Sequence, residues 1–326
     1  MTSTVTRVRD FAPADYEAWV AASNRCYPDY PWTVKEMRHQ DDTFDRRRFF
    51  KARLVAEDEG VLVGGLDVHH RPGRFHPDRY AWDLWVLPDR RRRGHGSALY
   101  EAGIQILRRR KALVAGTGVK ESMYDGVSFA EKHGWVEVRR DWESRLELVG
   151  FDAARFAGAE ERVAKQGVRI TALAEEMAAD ASALRKAFEL VDVLRADVPA
   201  TDPVTPVTLE EWDRTHGTGS PTFIADAFFV AIDKDGRWVG MSNLERQLED
   251  PTFVWQGLTG VRREDRGRGI AMALKLRTVA YAQGMGVGHI KTWNAQQNRP
   301  MLRINEAMGF AKQPAWIALE LHFRPA

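Results

Sequence analysis

Phe253-Val-Trp-Gln-Gly-Leu-Thr-Gly-Val261, Arg262-Arg-Glu-Asp265 and Arg266-Gly-Arg-Gly-Ile-Ala271 follow one another without a break, and the fold turns on how they are read. The first segment has the apolar, β-branched and aromatic character of a strand. The second is a short charged turn. The third sets two glycines on either side of an arginine and runs into a proline-free helical stretch, Ile270–Gln283. The order is strand, glycine-rich turn, helix N-terminus. The first N–H groups of a helix have no intrahelical acceptor and lie at the positive end of its dipole, so they suit a phosphate. Gly267 and Gly269 carry no Cβ, which lets the backbone approach a ligand and take positive φ. The element therefore reads as a pyrophosphate cradle at the head of the region Gln256–Phe310.

The chain has 326 residues, 44% hydrophobic and 29% charged, which is enough for two ordinary globular domains. With 48 basic and 46 acidic side chains the net charge is +2, and this near balance argues against general nucleic-acid binding. Cys26 is the single cysteine, so no intramolecular disulfide can form, in keeping with a cytoplasmic location. The first ten residues contain no apolar signal core, and no apolar run reaches the length of a membrane span.

Taken in order, the first half reads as a strand at Val5–Val8, a helix at Asp15–Asn24, and a break at Pro28 and Pro31. Glu36–Phe50 reads as helix and loop. Strands follow at Arg53–Ala56, Val61–Val68 and Tyr80–Leu87, then an arginine run, Gly94-His-Gly96, and a helix from Ser97 to about Arg110. The second half repeats the plan at a constant offset of 175: Val86 matches Val261, Gly94 matches Gly269, Gly96 matches Ala271, and Gly134-Trp135 matches Gly309-Phe310. Several pairs in one register argue for a duplicated domain, since the period is far too long for a solenoid. The expected organisation is a first domain at 1–150, a linker with helical character at 151–167, and a second domain at 168–326. Each mixes strands and helices in an α/β (α+β) arrangement, a mixed sheet partly covered by helices.

Three phosphate-binding patterns compete for the turn. A P-loop needs Gly-x4-Gly-Lys-Ser/Thr, which neither half has. A dinucleotide fingerprint needs a third glycine, where the chain has Met272 and Leu99. The third pattern is Arg/Gln-x-x-Gly-x-Gly/Ala after a strand ending in valine. Both Arg91-Arg-Arg-Gly94-His-Gly96 and Arg266-Gly-Arg-Gly269-Ile-Ala271 fit it. In these residues the chain resembles the GCN5-related N-acetyltransferase (GNAT) family, and because both halves carry them it resembles a tandem, two-domain member. The resemblance implies a mostly antiparallel sheet in each domain, with a central strand pair that splays to admit acetyl-CoA. It implies that Thr259 and Val261 lie along the pantetheine arm and that Arg266, Gly267, Arg268, Gly269, Ile270 and Ala271 cradle the diphosphate. Val86, Arg91, Arg92, Arg93, Gly94, His95 and Gly96 take the same roles in the first half.

Downstream, Ile290–Trp293 reads as a strand and Pro300–Met308 as a helix closed by Gly309. Asn294 and Asn298 stand where amides can bond the cofactor arm, although an asparagine before a helix is also a favoured N-cap. Many members of the family place a tyrosine acid four residues before the late glycine. Here Asn305 and Ala130 stand there; the asparagine amide can still donate a hydrogen bond, and the alanine cannot. A base is also required, and the carboxylates on central strands are Asp83 and Glu245, with Asp226 and Glu249 behind them. Arg90–Arg93 lacks interleaved aromatics and reads as a solvated turn. His69, His70 and His76 have no second cluster at ligand spacing, so no metal is expected. Cys26 has no recognisable base beside it.

The resemblance implies acyl-CoA-dependent N-acyl transfer, with acetyl-CoA as co-substrate and a small-molecule primary amine as acceptor, by direct attack. No nucleic-acid or membrane partner is expected. The second domain, with the fuller motif set, is expected to carry more of the chemistry. A CoA-binding regulatory or scaffold protein is the alternative, and a nucleotide-dependent dehydrogenase a distant third. The acceptor pocket falls to loops such as Pro28–Trp32 and Asp197–Trp212, and the sequence sets neither the acceptor nor the oligomeric state.

Overall fold

The computed structural model describes residues 6–199 and 202–323. In chain order the elements are β1 (Arg7–Asp10), α1 (Tyr16–Cys26), α2 (Val34–Thr43), β2 (Lys51–Asp58), β3 (Val61–His69), β4 (Arg79–Val86), α3 (His95–Arg109), β5 (Val114–Lys120), α4 (Tyr124–Lys132) and β6 (Val136–Glu147). The second half continues with α5 (Ala159–Ala164), β7 (Arg169–Ala172), α6 (Leu173–Ala179), α7 (Ala183–Arg195), α8 (Leu209–His216), β8 (Phe223–Ile232), β9 (Trp238–Arg246) and β10 (Phe253–Val261). It ends with α9 (Ile270–Gly284), β11 (His289–Ala295), α10 (Arg299–Met308), β12 (Ala311–Lys312) and β13 (Trp316–His322). The first strand runs to Asp10 rather than stopping at Val8, and Val5 lies outside the described residues.

Two compact units result, and they differ from the expected halves. The first runs to Arg140 and takes in the chain from Pro314 onward; the second is Asp141–Gln313. In the first unit the sheet order is β1-β2-β3-β4-β5-β13, antiparallel except for the β4–β5 pair. In the second, residues 141–147 of β6 line up antiparallel with β11, and the order continues β11-β10-β9-β8-β7, antiparallel except for β10–β11. Residues 141–147 and 316–322 are repeat equivalents, 175 apart. The copies have exchanged their last strands: β13 pairs with β5 over Trp316–His322. The expected linker also belongs to the second unit. Ala159 and Val163 of α5 are buried, and Val163 packs into one core cluster with Ile270.

Burial explains the layers. Leu54, Leu66, Trp82, Val86, Leu99 and Leu107 join strands β2–β4 to α3 in one core of the first unit. Trp19, Val20, Val55 and Trp85 form a second core on the other face, under α1. Alternation along β4 thus sends Trp82 and Val86 one way and Trp85 the other, as a sheet covered on both faces requires. Helix ends follow local chemistry: Thr33 and Glu36 form a capping box on α2, and Thr208 and Glu211 do the same on α8. Among the described residues no helix is long and apolar enough to cross a membrane.

Candidate active site

In the first unit β4 and β5 pair only at Arg79–Ala81 with Val114–Gly116. Beyond Ala81 the two strands run on without pairing and form a V. A cleft of about 400 Å³ opens along it, walled by Leu84, Val86, Thr117, Val119, Met123 and Phe129. At its wide end lies the glycine turn, Arg91–Gly96. Gly94 has φ of 93° and Arg92 has φ of 62°. In the second unit the equivalent Gly269 and Gly267 have φ of 82° and 78°. The two turns share one backbone, and the left-handed conformation that glycine accepts freely is imposed on Arg92. The first backbone N–H groups of α3 and α9 face out of each turn without intrahelical acceptors.

The side chains of the two turns do not gather on one side. Arg91 and Arg266 turn back on their own strands: Arg91 Nε donates to Val86 O at 3.2 Å, and Arg266 Nε to Val261 O at 3.1 Å. His95 points into the fold, buried, with Nδ1 2.8 Å from the Thr6 hydroxyl. Only its backbone can face a ligand. Ile270 is likewise a core side chain. Arg92 reaches Asp125 at 3.2 Å, and Arg93 donates to Asp89 O at 3.3 Å. In the second turn Arg263 and Arg266 both bond Asp197, and Arg268 bonds Asp265 at 2.6 Å and Gln166 at 3.1 Å.

Asp83 and Tyr27 stand at the narrow end of the first cleft. The Asp83 carboxylate is exposed to water yet surrounded by protein atoms on the cleft wall. Tyr27, just past the end of α1, lines the same cleft as Asp83. Opposite Asp83 across the ladder is Asp67. Burial would raise the Asp67 carboxyl, but His69, Lys51 and Arg53 hold it below the ordinary range. Arg53 donates to Asp67 at 2.8 Å and to Asp41 at 2.7 Å, and Lys51 lies 2.8 Å from Asp41. Crowding by the protein atoms of the cleft wall, which strips part of its solvation although water still reaches it, and then the fixed negative charge on Asp67, push Asp83 up to about 6. Two neighbouring carboxyls are thereby driven apart, one locked as an anion and one poised to exchange a proton near neutrality.

The second unit opens in the same place but is furnished differently. Pairing of β10 with β11 stops at Trp255–Lys291, and a bulge in β10 interrupts its ladder with β9 between Gln256 and Thr259. Trp255 stacks on Trp293 with centroids 4.3 Å apart, and Thr292 Oγ1 donates to Gln256 O at 3.4 Å. The Thr259 hydroxyl is 2.8 Å from Ser242 Oγ, and Val261 is core. Asn298 caps α10, accepting from Met301 N at 3.4 Å, as the N-cap alternative requires. Asn305 is buried and donates to Asn294 Oδ1 at 2.6 Å, while its own Oδ1 has no partner. Glu245 is partly buried, opposite Trp255, and burial raises its carboxyl despite a contact from Asn243. Asp226 and Glu249 are exposed.

Two features had no sequence signal. Tyr27 sits in a proline-broken loop that looks like many others. Lys275 is buried in α9, 3.3 Å from Gln256 Oε1 and over the Phe310 ring, and burial pushes its amine down to about 7. Cys26 is buried, and burial raises its thiol to about 11, so it is a poor nucleophile. Among the described residues no group of three or more His, Cys, Asp or Glu stands together as a metal site.

Comparison with known proteins agrees with this geometry. The model of the acetyltransferase (GNAT) family matches residues 16–135. Mycothiol acetyltransferase of Thermobispora bispora is 37% identical over 114 residues, 32% of this chain and 37% of that protein, so the match spans little more than a third of the relative. Mycothiol acetyltransferase of Thermobifida fusca is 24% identical over 291 residues, 85% of this chain and 84% of that one. A tandem GNAT protein from the clavulanic acid biosynthesis pathway shares the fold, with TM-score 0.73 at 20% identity over 99% of this chain and 100% of that one. Residues 16–135 thus form a domain of the GCN5-related N-acetyltransferase family, and the chain as a whole is similar in fold to a tandem GNAT protein.

Proposed function

We propose that the chain transfers an acetyl group from acetyl-CoA to a primary amine of a small molecule, and that the cleft of the first unit carries the reaction. The observation behind this placement is the open V of β4 and β5, with a phosphate-ready turn at one end and the water-exposed Asp83 at the other. The names of the mycothiol acetyltransferase relatives support a small-molecule acceptor. This reading moves the chemistry from the second domain, where the motifs suggested it, to the first.

The residues fit the co-substrate. N–H groups at Gly94–Ser97 would hold the diphosphate, and the edge of Trp82–Val86 that faces away from β3, where pairing with β5 has ended, would bond the pantetheine arm. Acetyl-CoA supplies an activated thioester. Asp83 takes the proton from the substrate ammonium, so that the neutral amine attacks directly. Crowding by the cleft wall and the charge on Asp67 keep Asp83 strong enough as a base while leaving it largely ionised at neutral pH. The second turn, with the same backbone, holds a second CoA through Gly269–Met272, with Thr259 and Val261 beside the arm and Asn294 at its inner end. Glu245 and Asn305 would serve that unit as base and hydrogen-bond donor.

The test is thiol release from acetyl-CoA with a panel of amines, alongside calorimetric CoA stoichiometry. Asp83→Asn is expected to lower kcat at least ~100-fold. Gly94→Glu and Gly269→Glu should each remove one CoA, because each adds bulk and negative charge at a cradle. If Glu245→Gln abolishes turnover and Asp83→Asn does not, the reaction belongs to the second unit. If no amine is acetylated, the scaffold alternative stands.

A further inference from the structure

The two glycine turns share one backbone, but different side chains lie beneath them. Under the first is a buried histidine–carboxylate pair. His95, the first residue of α3, is 1% exposed, and Asp58, the last of β2, is 4% exposed. His95 Nε2 stands 3.6 Å from Asp58 Oδ2, too far for a hydrogen bond. Neither His95 Nε2 nor Asp58 Oδ1 has a hydrogen-bond partner among the described residues. His95 Nδ1 is already engaged, 2.8 Å from the Thr6 hydroxyl. A neutral imidazole has one N–H to offer, to Asp58 or to Thr6. The protonated ring offers one to each and sets a positive charge beside the carboxylate. The repeat equivalents 175 residues on, Ile270 and Asp233, form no such pair. Ile270 packs with Val163 and Val239, and Asp233 accepts from the backbone of Asp235 and Arg237 and from Arg237 Nε at 3.1 Å.

We propose that His95 is a positioning residue of the first turn, taking up a proton from solvent as a diphosphate seats on the N–H groups of α3. This rests on CoA binding at that turn. Without an anion there, three things oppose the proton. Burial lowers the imidazole below its ordinary range, against the pull of Asp58. Arg93 and Arg90 of the turn add like charge. The positive end of the helix dipole repels an imidazolium at the first helical position. With Asp58 of β2, the two arginines are the charged groups acting on the ring, while Thr6, ahead of β1, is neutral.

A bound diphosphate brings negative charge to that same helix end and offsets the dipole and the arginines. The imidazolium can then close on Asp58, which ties the first turn of α3 to the end of β2. What the ligand does for the proton, the proton does for the ligand. The ligand raises the histidine's pKa, so the bound state holds more protons. Affinity therefore rises as pH falls through the range at and below the ordinary 6.5, and is flat above it. The second turn, with Ile270 in place of the histidine, lacks this dependence.

The experiment is calorimetric titration of the full chain carrying Gly269→Glu, so that the first turn alone binds, with dephospho-CoA as the probe. That ligand keeps the diphosphate and lacks the 3′-phosphate, whose own proton comes off near pH ~6 and would blur the count. Buffers of different ionisation enthalpy, from about pH 5.5 to about pH 8, give the protons taken up. A rise of half to one unit in the histidine's pKa corresponds to an uptake of about 0.3–0.5 proton at its maximum, and to binding about 3- to 10-fold tighter in acid than at about pH 8. His95→Ile, the side chain of the second turn, should bind without this uptake and with a flat pH profile. Uptake in His95→Ile within about 0.1 proton of the parent overturns the proposal. Should that variant not fold, histidine-selective NMR of the parent decides, with the His95 resonance assigned by its shift in Asp58→Asn. Its midpoint should lie at higher pH with dephospho-CoA than without, and an unmoved midpoint overturns the proposal. If Gly94→Glu leaves binding in place, the ligand is not on this turn and the placement of CoA fails as well. If Gly94→Glu abolishes binding while His95→Ile matches the parent, only the role of His95 fails.

Discussion

A chain ending at Gln313 retains every motif of the first domain, yet its first unit should not fold. The residues removed include β13, whose seven residues pair with β5 from Lys120 to Val114. Ile317 and Leu319 of that strand are buried in the core that also holds Leu66, Trp82 and Leu99. Emptying two such sites costs ~2–5 kcal/mol each. Arg79 loses Glu320, and Tyr30 loses the Trp316 indole N–H, 3.1 Å from its hydroxyl. The total of ~4–10 kcal/mol is comparable with the whole stability of a domain, about 5–15 kcal/mol. β5 would also become an edge strand along the cleft, because Leu319 pairs with Thr117. The assay is hydrogen exchange resolved by peptide. Amides of β3, β4 and β5 should lose protection in the truncated chain, while those of β8–β10 keep it. A synthetic peptide of residues 314–326 added in trans should restore protection. Unchanged protection in β4 and β5 after truncation would refute the view that the exchanged strand completes this unit.

Other outcomes follow from the charges. Asp67→Asn removes the anion facing Asp83 and leaves Arg53 and Lys51 in place, so the acid limb of kcat/KM should move down by about one pH unit, equivalent to ~1.4 kcal/mol. A limb that stays or rises would mean that Asp67 does not set it. Lys275 has a folded pKa of about 7, below its ordinary 10.5, so above pH 7 the unfolded chain binds the extra proton. Stability should therefore rise with pH between about 7 and 10.5, and Lys275→Met should flatten that slope in denaturant titrations. Leu319→Ala, a milder form of the truncation, should lower the stability of the first unit by ~2–5 kcal/mol and leave the second unit's transition in place, as read from paired denaturant transitions.

The sequence by itself determined the duplication, the fold class and the glycine turns between strand and helix. These are local patterns: a constant offset of 175, strand-to-helix order, and a backbone whose positive φ recurs at Gly94 and Gly269 and at Arg92 and Gly267. Only the tertiary structure decided which strand closes which unit. Residues 141–147 and 316–322 alternate alike, and alternation fixes a strand's faces without naming the edge it joins. The same holds for side-chain roles. His95 and Ile270 lie in motif positions but turn inward, and Asn298 serves its own helix. Asp83 is one carboxylate among 46 acidic residues until Asp67, Arg53 and Tyr27 gather around it from β3, β2 and the end of α1. A raised carboxyl depends on the atoms that enclose it and on charges brought close in space, and no spacing along the chain encodes either.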